Sequence, residues 1–145
     1  MKFLCDVMFG KLGRWLRMFG YDTLIASEDK TDNELLSIAR EEGRILLTRD
    51  KRFNDKKQTY YIKEHDIDGQ LKDVVEHFKL KINFPKETRC PLCNGILGKT
   101  GERPKEMKTL ESEMFWKCED CGQVYWKGSH WNRILKTAEK IRRSE

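Results

Sequence analysis

The chain has 145 residues, of which 38% are hydrophobic and 37% charged, with a formal net charge of +5. That length holds one ordinary domain and a small appendage, not two full cores. No apolar run nears the roughly 20 residues that cross a bilayer, and no signal-peptide pattern opens the sequence, so a cytoplasmic location is expected.

In chain order, "KFLCD" is a short apolar strand ending at Asp6, and "GKLGRWLRMFG" is a helix with Leu12, Trp15, Leu16 and Phe19 on one face, closed by Gly20. "DTLIA" is a second strand. "TDNELLSIAREEG" is a helix opened by a capping box, Thr31 with Glu34, and stopped at Gly43. "RILLT" and "TYYIK" are strands three and four, followed by the helix "DGQLKDVVEHFKL", for which Asp68 is the expected cap. This alternation predicts an α/β domain over residues 1–84 with a mainly parallel sheet and flanking helices.

Charge divides the chain at the same place. Residues 1–84 hold 16 Lys/Arg against 15 Asp/Glu, and residues 85–145 hold 13 against 9. The basic excess of the second half suits a polyanionic partner, although a solvated basic face is the commoner explanation for such an excess.

Residues 85–145 also hold four of the five cysteines, as Cys90 and Cys93 in "CPLCNG" and Cys118 and Cys121 in "CEDCG", with 24 residues between the pairs. Two residues between thiolates let one tight turn aim both sulfurs at a single ion, and Gly95 and Gly122 free the backbone for those turns. Two such knuckles make a closed tetrahedral Zn²⁺ site, structural rather than catalytic. Disulfides are the alternative, disfavoured in a reducing compartment. Few aliphatic residues lie between 85 and 128, so the metal would supply folding free energy that this small core lacks. "MFWKC" and "QVYWKG" read as two ribbon strands, and "SHWNRILKTAEKIRR" as a terminal helix with Ser129 as candidate N-cap and Trp131, Ile134, Leu135, Ala138 and Ile141 on one face. Cys5 reads as a buried core thiol.

In a parallel sheet, ligands bind beyond the carboxyl ends of the strands. Asp6, Asp32 and Asp50 all fall at that end, after strand one, in the first turn after strand two, and just beyond strand three. Each has a structural explanation, as a cap, a helix-dipole partner or a turn residue. Together they form an oxygen-only set whose charges repel unless a cation lies between them, which suits hard Mg²⁺ or Mn²⁺. Glu34, Asp55 and Asp66 are weaker candidates at the same edge, and Asp22, at the opposite end, reads as structural. Arg14 and Arg17 on the first helix, with Arg49, Lys51, Arg52, Lys56 and Lys57 after strand three, read either as a solvated surface or as a phosphate-binding rim.

With "FLCDVMFGKLGRWLRMFGYDT", "TDNELL", "EEGRILLTRD", "CPLCNG" and "CEDCGQVYWKGSHW" in this order, the chain resembles the PIN-like RNase family named after the C-terminal domain of the Mut-seven nuclease. The resemblance covers nearly the whole length. It implies a PIN-like fold followed by a zinc ribbon, and metal-dependent cleavage of RNA by acids matching Asp6, Asp32 and Asp50. Related PIN domains carry a fourth acid late in the sheet, and no residue here matches it.

The expected function is therefore a ribonuclease in which the three aspartates hold Mg²⁺ or Mn²⁺ and Arg14, Arg17, Arg49 and Lys51 bind substrate phosphates. The ribbon is expected to offer Tyr125, Trp126, His130 and Trp131 to unpaired bases, with Lys117, Lys127 and Arg133 on the backbone; the alternative is that Trp116, Trp126 and Trp131 bury the ribbon against the first domain, which is expected of at least one of them. The alternative is a non-catalytic RNA-binding module of an RNA-processing or ribosomal assembly. A haloacid-dehalogenase type of phosphohydrolase needs a second Asp two residues after the first, where this chain has Met8.

Overall fold

The computed structural model describes residues 1–53, 57–102 and 115–143. Four strands, β1 (Lys2–Cys5), β2 (Asp22–Ile25), β3 (Arg44–Thr48) and β4 (Thr59–Tyr61), form a sheet in the order β2-β1-β3-β4, and every pairing is parallel. Alternate residues of a strand face opposite sides, so an apolar run such as Phe3, Leu4 and Cys5 serves two helical layers at once. Phe3, Cys5 and Leu47 pack with helices α1 (Gly10–Met18) and α3 (Ile67–Phe78), whereas Leu4 and Leu46 pack with Leu35, Leu36 and Ala39 of α2 (Asp32–Glu42) on the other face.

Local chemistry sets the helix ends. Thr31 caps α2 by accepting from the Glu34 N–H at 3.2 Å, and Gly43 stops it in the left-handed region at φ 65°. α1 lies unusually close to β2, because a Cβ at Gly13 would come within 2.6 Å of the Ile25 side chain. The cap of α3 corrects the sequence expectation: Asp66 accepts from the Gly69 N–H at 3.0 Å, while Asp68 lies inside the first turn and pairs with Lys140 at 2.9 Å.

The second half forms an antiparallel sheet in the order β5-β6-β7, followed by the long helix α4 (Ser129–Arg143). β6 (Phe115–Cys118) and β7 (Val124–Trp126) match the expected ribbon strands, and β5 (Leu97–Thr100) is an additional one. The hydrophobic core crosses residue 84. Trp131 of α4 stacks on Trp116 of β6 at 4.3 Å between ring centroids and lies 4.5 Å from Phe84, and Trp131, Ile134, Ala138 and Ile141 join the cluster built on α1 and α3. Among the described residues no helix is long and apolar enough to cross a membrane.

The first cysteine knuckle is fastened to the edge strand β2. Asn94 accepts from the Thr23 N–H at 3.0 Å and donates to Asp22 at 2.7 Å, while Arg17 donates to the Thr23 carbonyl at 2.9 Å and the Pro91 carbonyl at 2.8 Å. An edge strand otherwise presents open backbone groups, and here Asn94 of the knuckle and Arg17 of α1 take the N–H and carbonyl of Thr23. Asn94 holds a positive φ of 73°, so Asn94→Gly keeps the backbone and removes only the docking amide. Its expected cost is about 1–3 kcal/mol in urea unfolding, because the Thr23 N–H loses its partner; an unchanged midpoint would show that docking does not depend on it.

Asp22 is structural, as its position predicts, and it bonds the nearly buried Arg44 at 2.8 Å. Partial burial opposes its charge, but the bonds from Arg44 and Asn94 outweigh this and hold its carboxyl below the usual range. A depressed folded-state pKa gives stability that is present above the ordinary value near 4 and is lost as pH falls through the folded value. The stability gap between the wild type and Asp22→Asn should therefore be widest above about pH 4 and shrink on acidification. A pH-independent gap in urea titrations would rule this linkage out.

Candidate active site and metal centre

Parallel pairing puts all four strand C-termini at one edge, and the three expected acids follow from it. Asp6 continues β1 beside β3, with its N–H on the Leu47 carbonyl at 3.2 Å and its side chain capping the turn Val7–Phe9 through the Val7 N–H at 2.8 Å. Asp32 is the first residue of α2. Asp50 lies two residues past β3, its N–H donating to the Thr48 hydroxyl at 3.1 Å.

One side chain ties two of these acids together. Arg52 Nη2 donates to Asp50 Oδ2 at 2.6 Å and to Asp32 Oδ2 at 3.2 Å, while Arg52 Nε also reaches Asp50. Two carboxylates that share one guanidinium are close neighbours, and the cation between them offsets their repulsion. The Arg52 side-chain bonds, with its backbone N–H, hold the Asp50 carboxyl below the usual carboxylate range. Among the described residues no three acidic or histidine ligand atoms come within 4.8 Å of one another, so the aspartates stand more open than a closed metal cage.

The weaker acidic candidates have other partners. Asp66 caps α3, Glu34 lies 3.9 Å from Lys30, and Asp55 falls outside the described residues, as does Lys56.

The expected cationic rim separates into parts. Arg14 and Lys51 are exposed. Arg17 is only 7% exposed and spends its donors on the Thr23 and Pro91 carbonyls, which corrects the expectation that it binds substrate. Arg49 lies over the Phe9 ring at 5.2 Å and donates to the Glu64 carbonyl, so it too acts within the fold. Arg52 was visible in the sequence only as one cation of a loop; its spacing of two from Asp50 is the signal for the bridge.

The four knuckle cysteines converge as their spacing predicts. Their sulfurs all lie within 4.8 Å of one another, with Cys90 and Cys121 at 3.7 Å and Cys93 and Cys118 at 3.3 Å. A tetrahedral ion with Zn–S bonds of about 2.3 Å sets its sulfurs about 3.8 Å apart, so the set fits one ion such as zinc. Burial raises the Cys118 thiol, but N–H groups of Cys121 and Asp120 and the Cys93 thiol more than offset this and bring it down to about 7. Tyr125 places its hydroxyl 3.1 Å from Cys90 Sγ. Gly95 is required by contact, since a Cβ there would come within 2.6 Å of Cys118 Sγ. Cys5 stands apart, wholly buried, its thiol pushed up to about 12 by burial. Burial keeps Cys5 inert, whereas Cys118 alone among the knuckle thiols is drawn toward the thiolate.

The model of one protein family, described as the Mut7-C RNAse domain, matches residues 1–138. The chain belongs to that family. No curated protein and no solved structure matches it. The matched span contains the three aspartates and all four cysteines, so sheet and ribbon fall within one family unit. A Mut7-C RNAse domain is of nuclease type, with RNA as its substrate class.

The ribbon residues expected to meet that RNA are divided by the fold. Trp131 is buried in the core against Trp116, so for these two the expected alternative holds, and Trp131 is not available for base stacking. Lys117 pairs with Glu102 at 2.8 Å. Tyr125 and Trp126 are half-buried, and Lys127, His130 and Arg133 are exposed. Together with α1 and the first knuckle, Tyr125, His130 and Arg133 line a groove of about 580 Å³. Lys11 and Leu92, neither singled out from sequence, line it too.

Proposed function

We propose that this Mut7-C RNAse domain hydrolyses RNA phosphodiester bonds at the carboxyl edge of its PIN-like sheet, using a divalent cation held by Asp6, Asp32 and Asp50. The observation that carries the reading is the Arg52 bridge: two of the three acids already share one cation. The donor set is carboxylate oxygen alone, which suits Mg²⁺ or Mn²⁺ and not a soft metal. When bound, such an ion supplies Lewis-acid activation of water and offsets the charge that grows on the phosphate oxygens.

The chain's own residues do the rest. Asp50 is a carboxylate at neutral pH, and Arg52 holds its carboxyl below the usual range. Arg14 and Lys51, exposed near the same edge, bind the flanking phosphates and set the register of the strand. Arg52 has a side chain 77% exposed, so leaving the two carboxylates requires no repacking, and it is then free to bind a phosphate itself.

The test is incubation of the wild type with total RNA, with Mg²⁺ or Mn²⁺ added or omitted, and mapping of the cleaved ends. Cleavage only with the divalent ion supports the proposal. RNA binding indifferent to the ion, without cleavage, favours the non-catalytic module instead. Omission is preferable to a strong chelator, which would also attack the cysteine site.

Arg52→Ala gives a second check. Removing a positive charge from between two carboxylates should tighten Mn²⁺ binding at least several-fold in calorimetry. Weaker binding would mean that Arg52 supports the acids rather than standing in for the ion.

A further inference from the structure

We infer that the groove between α1, the first cysteine knuckle and α4 is the path of single-stranded RNA, with bases on its apolar floor and phosphates on its cationic rim. The inference rests on the ribonuclease reading and adds to it the strandedness of the substrate and its route to the acids.

Lys11, Arg14, Trp15 and Met18 line the groove at helical spacing, so one face of α1 forms a wall about 10 Å long. α1 follows Asp6 through the single turn Val7–Phe9, and Asp68 of the groove lies in the first turn of α3, which follows β4. Both helices begin at the carboxyl edge of the sheet. Lys11 and Asp68, near the starts of these two helices, therefore put one end of the groove toward the edge that also carries Asp6, Asp32 and Asp50, none of which lines it.

The chemistry of the lining is the second observation. Leu92, 65% exposed, and the half-buried Trp15 and Tyr125 give it an apolar surface. Lys11, Arg14, His130 and Arg133 are exposed around that surface. The one acid of the lining, Asp68, is neutralised by Lys140 at 2.9 Å. A cationic rim over an aromatic and aliphatic floor complements a strand that carries phosphates on one side and bare base faces on the other. In a duplex those faces are covered by stacking, so the floor would have nothing to bind.

The volume, about 580 Å³, is that of a site for a nucleotide-sized group. The knuckle also shapes the wall: Pro91 and Leu92 lie between Cys90 and Cys93, and the Tyr125 hydroxyl contacts Cys90 Sγ. Metal binding at the cysteines thereby fixes one side of the groove.

The experiment uses the full chain carrying Asp50→Asn, to prevent cleavage, and fluorescence anisotropy with a short labelled RNA offered as a single strand or as its duplex. The single strand should bind more tightly. Adding Lys11→Ala with Arg133→Ala should weaken single-strand binding at least about tenfold and reduce the salt slope by about 1.4, or about 0.7 for each lost phosphate contact. Leu92→Ser should weaken binding several-fold with the slope unchanged, because it removes floor and not charge. Zinc content and the melting temperature, measured alongside, verify that these exposed-site variants fold.

Duplex bound as tightly as single strand, or both variants binding within about twofold of the parent, would overturn the inference. Groove variants that bind normally, in a protein whose cleavage still depends on Asp50, would remove the groove and leave the proposed function standing. Cleavage that survives Asp50→Asn would remove the proposed catalytic site, while weakened binding by the groove variants would still support the groove as the RNA path.

Discussion

Replacing Asp50 by Asn is expected to reduce RNA cleavage at least about 100-fold while leaving the melting temperature nearly unchanged. Loss of a group that merely orients a metal ligand costs about 10–100-fold, so loss of a ligand itself should cost no less. The substitution keeps the shape of the side chain and removes its charge. The fold should tolerate it, because Asp50 lies past the end of β3 and its partner Arg52 is solvent-exposed. Rates with excess Mn²⁺, followed on a defined RNA, check the first half, and a thermal scan checks the second. Unchanged cleavage by a clean preparation would remove Asp50 from the mechanism.

Removal of metal from the cysteine site should have the largest effect on stability. Structural zinc contributes roughly 10–16 kcal/mol to the folding of isolated zinc-finger peptides, and the ribbon here has little core of its own. The loss should spread beyond the ribbon. Trp116 of β6 stacks on Trp131 of α4, which belongs to the same core as α1 and α3. Asn94 and Pro91 of the first knuckle bond the edge strand and Arg17. Chelation, or Cys118→Ser, is therefore expected to lower the melting temperature by at least about 10 °C, as a loss of several kcal/mol would in a domain of this size. Thiol alkylation supplies a local readout: the knuckle cysteines should react once metal is removed, and buried Cys5 only on global unfolding. A melting temperature indifferent to metal would show that the ribbon is held by packing alone.

What the sequence makes legible follows the kind of signal involved. β1 and β3 are continuous apolar runs, and α2 carries its own cap and stop in Thr31 and Gly43, so local rules suffice for them. The shared edge for Asp6, Asp32 and Asp50 is also legible, since parallel topology alone dictates it. β5 is not, because "LGKT" lacks an apolar pattern and becomes a strand only by pairing with β6. Asp66 and Asp68 both precede apolar helix residues, and nothing local decides which one caps.

Tertiary contact decides the remaining cases. Arg14 and Arg17 are three residues apart on α1, close enough to be assigned one face, yet Arg17 turns to the β2 edge, where the Thr23 and Pro91 carbonyls await donors. Trp131 has the composition of an RNA-stacking residue, but Trp116 and Phe84 claim its ring. The cations of "TRDKRF" read as a rim for phosphates, and one of them, Arg52, folds back onto the acids. That bridge shows the acids of β3 and α2 meeting through a cation, which sequence patterns could only suggest.

Anomalous diffraction from crystals grown with Mn²⁺ decides whether the acids at the carboxyl edge hold a divalent cation. A Mn²⁺ peak is expected in contact with carboxylate oxygens of Asp6, Asp32 and Asp50, with Arg52 displaced from between Asp32 and Asp50. A map with no peak at that edge, and Arg52 still bridging the two aspartates at saturating Mn²⁺, would rule the site out.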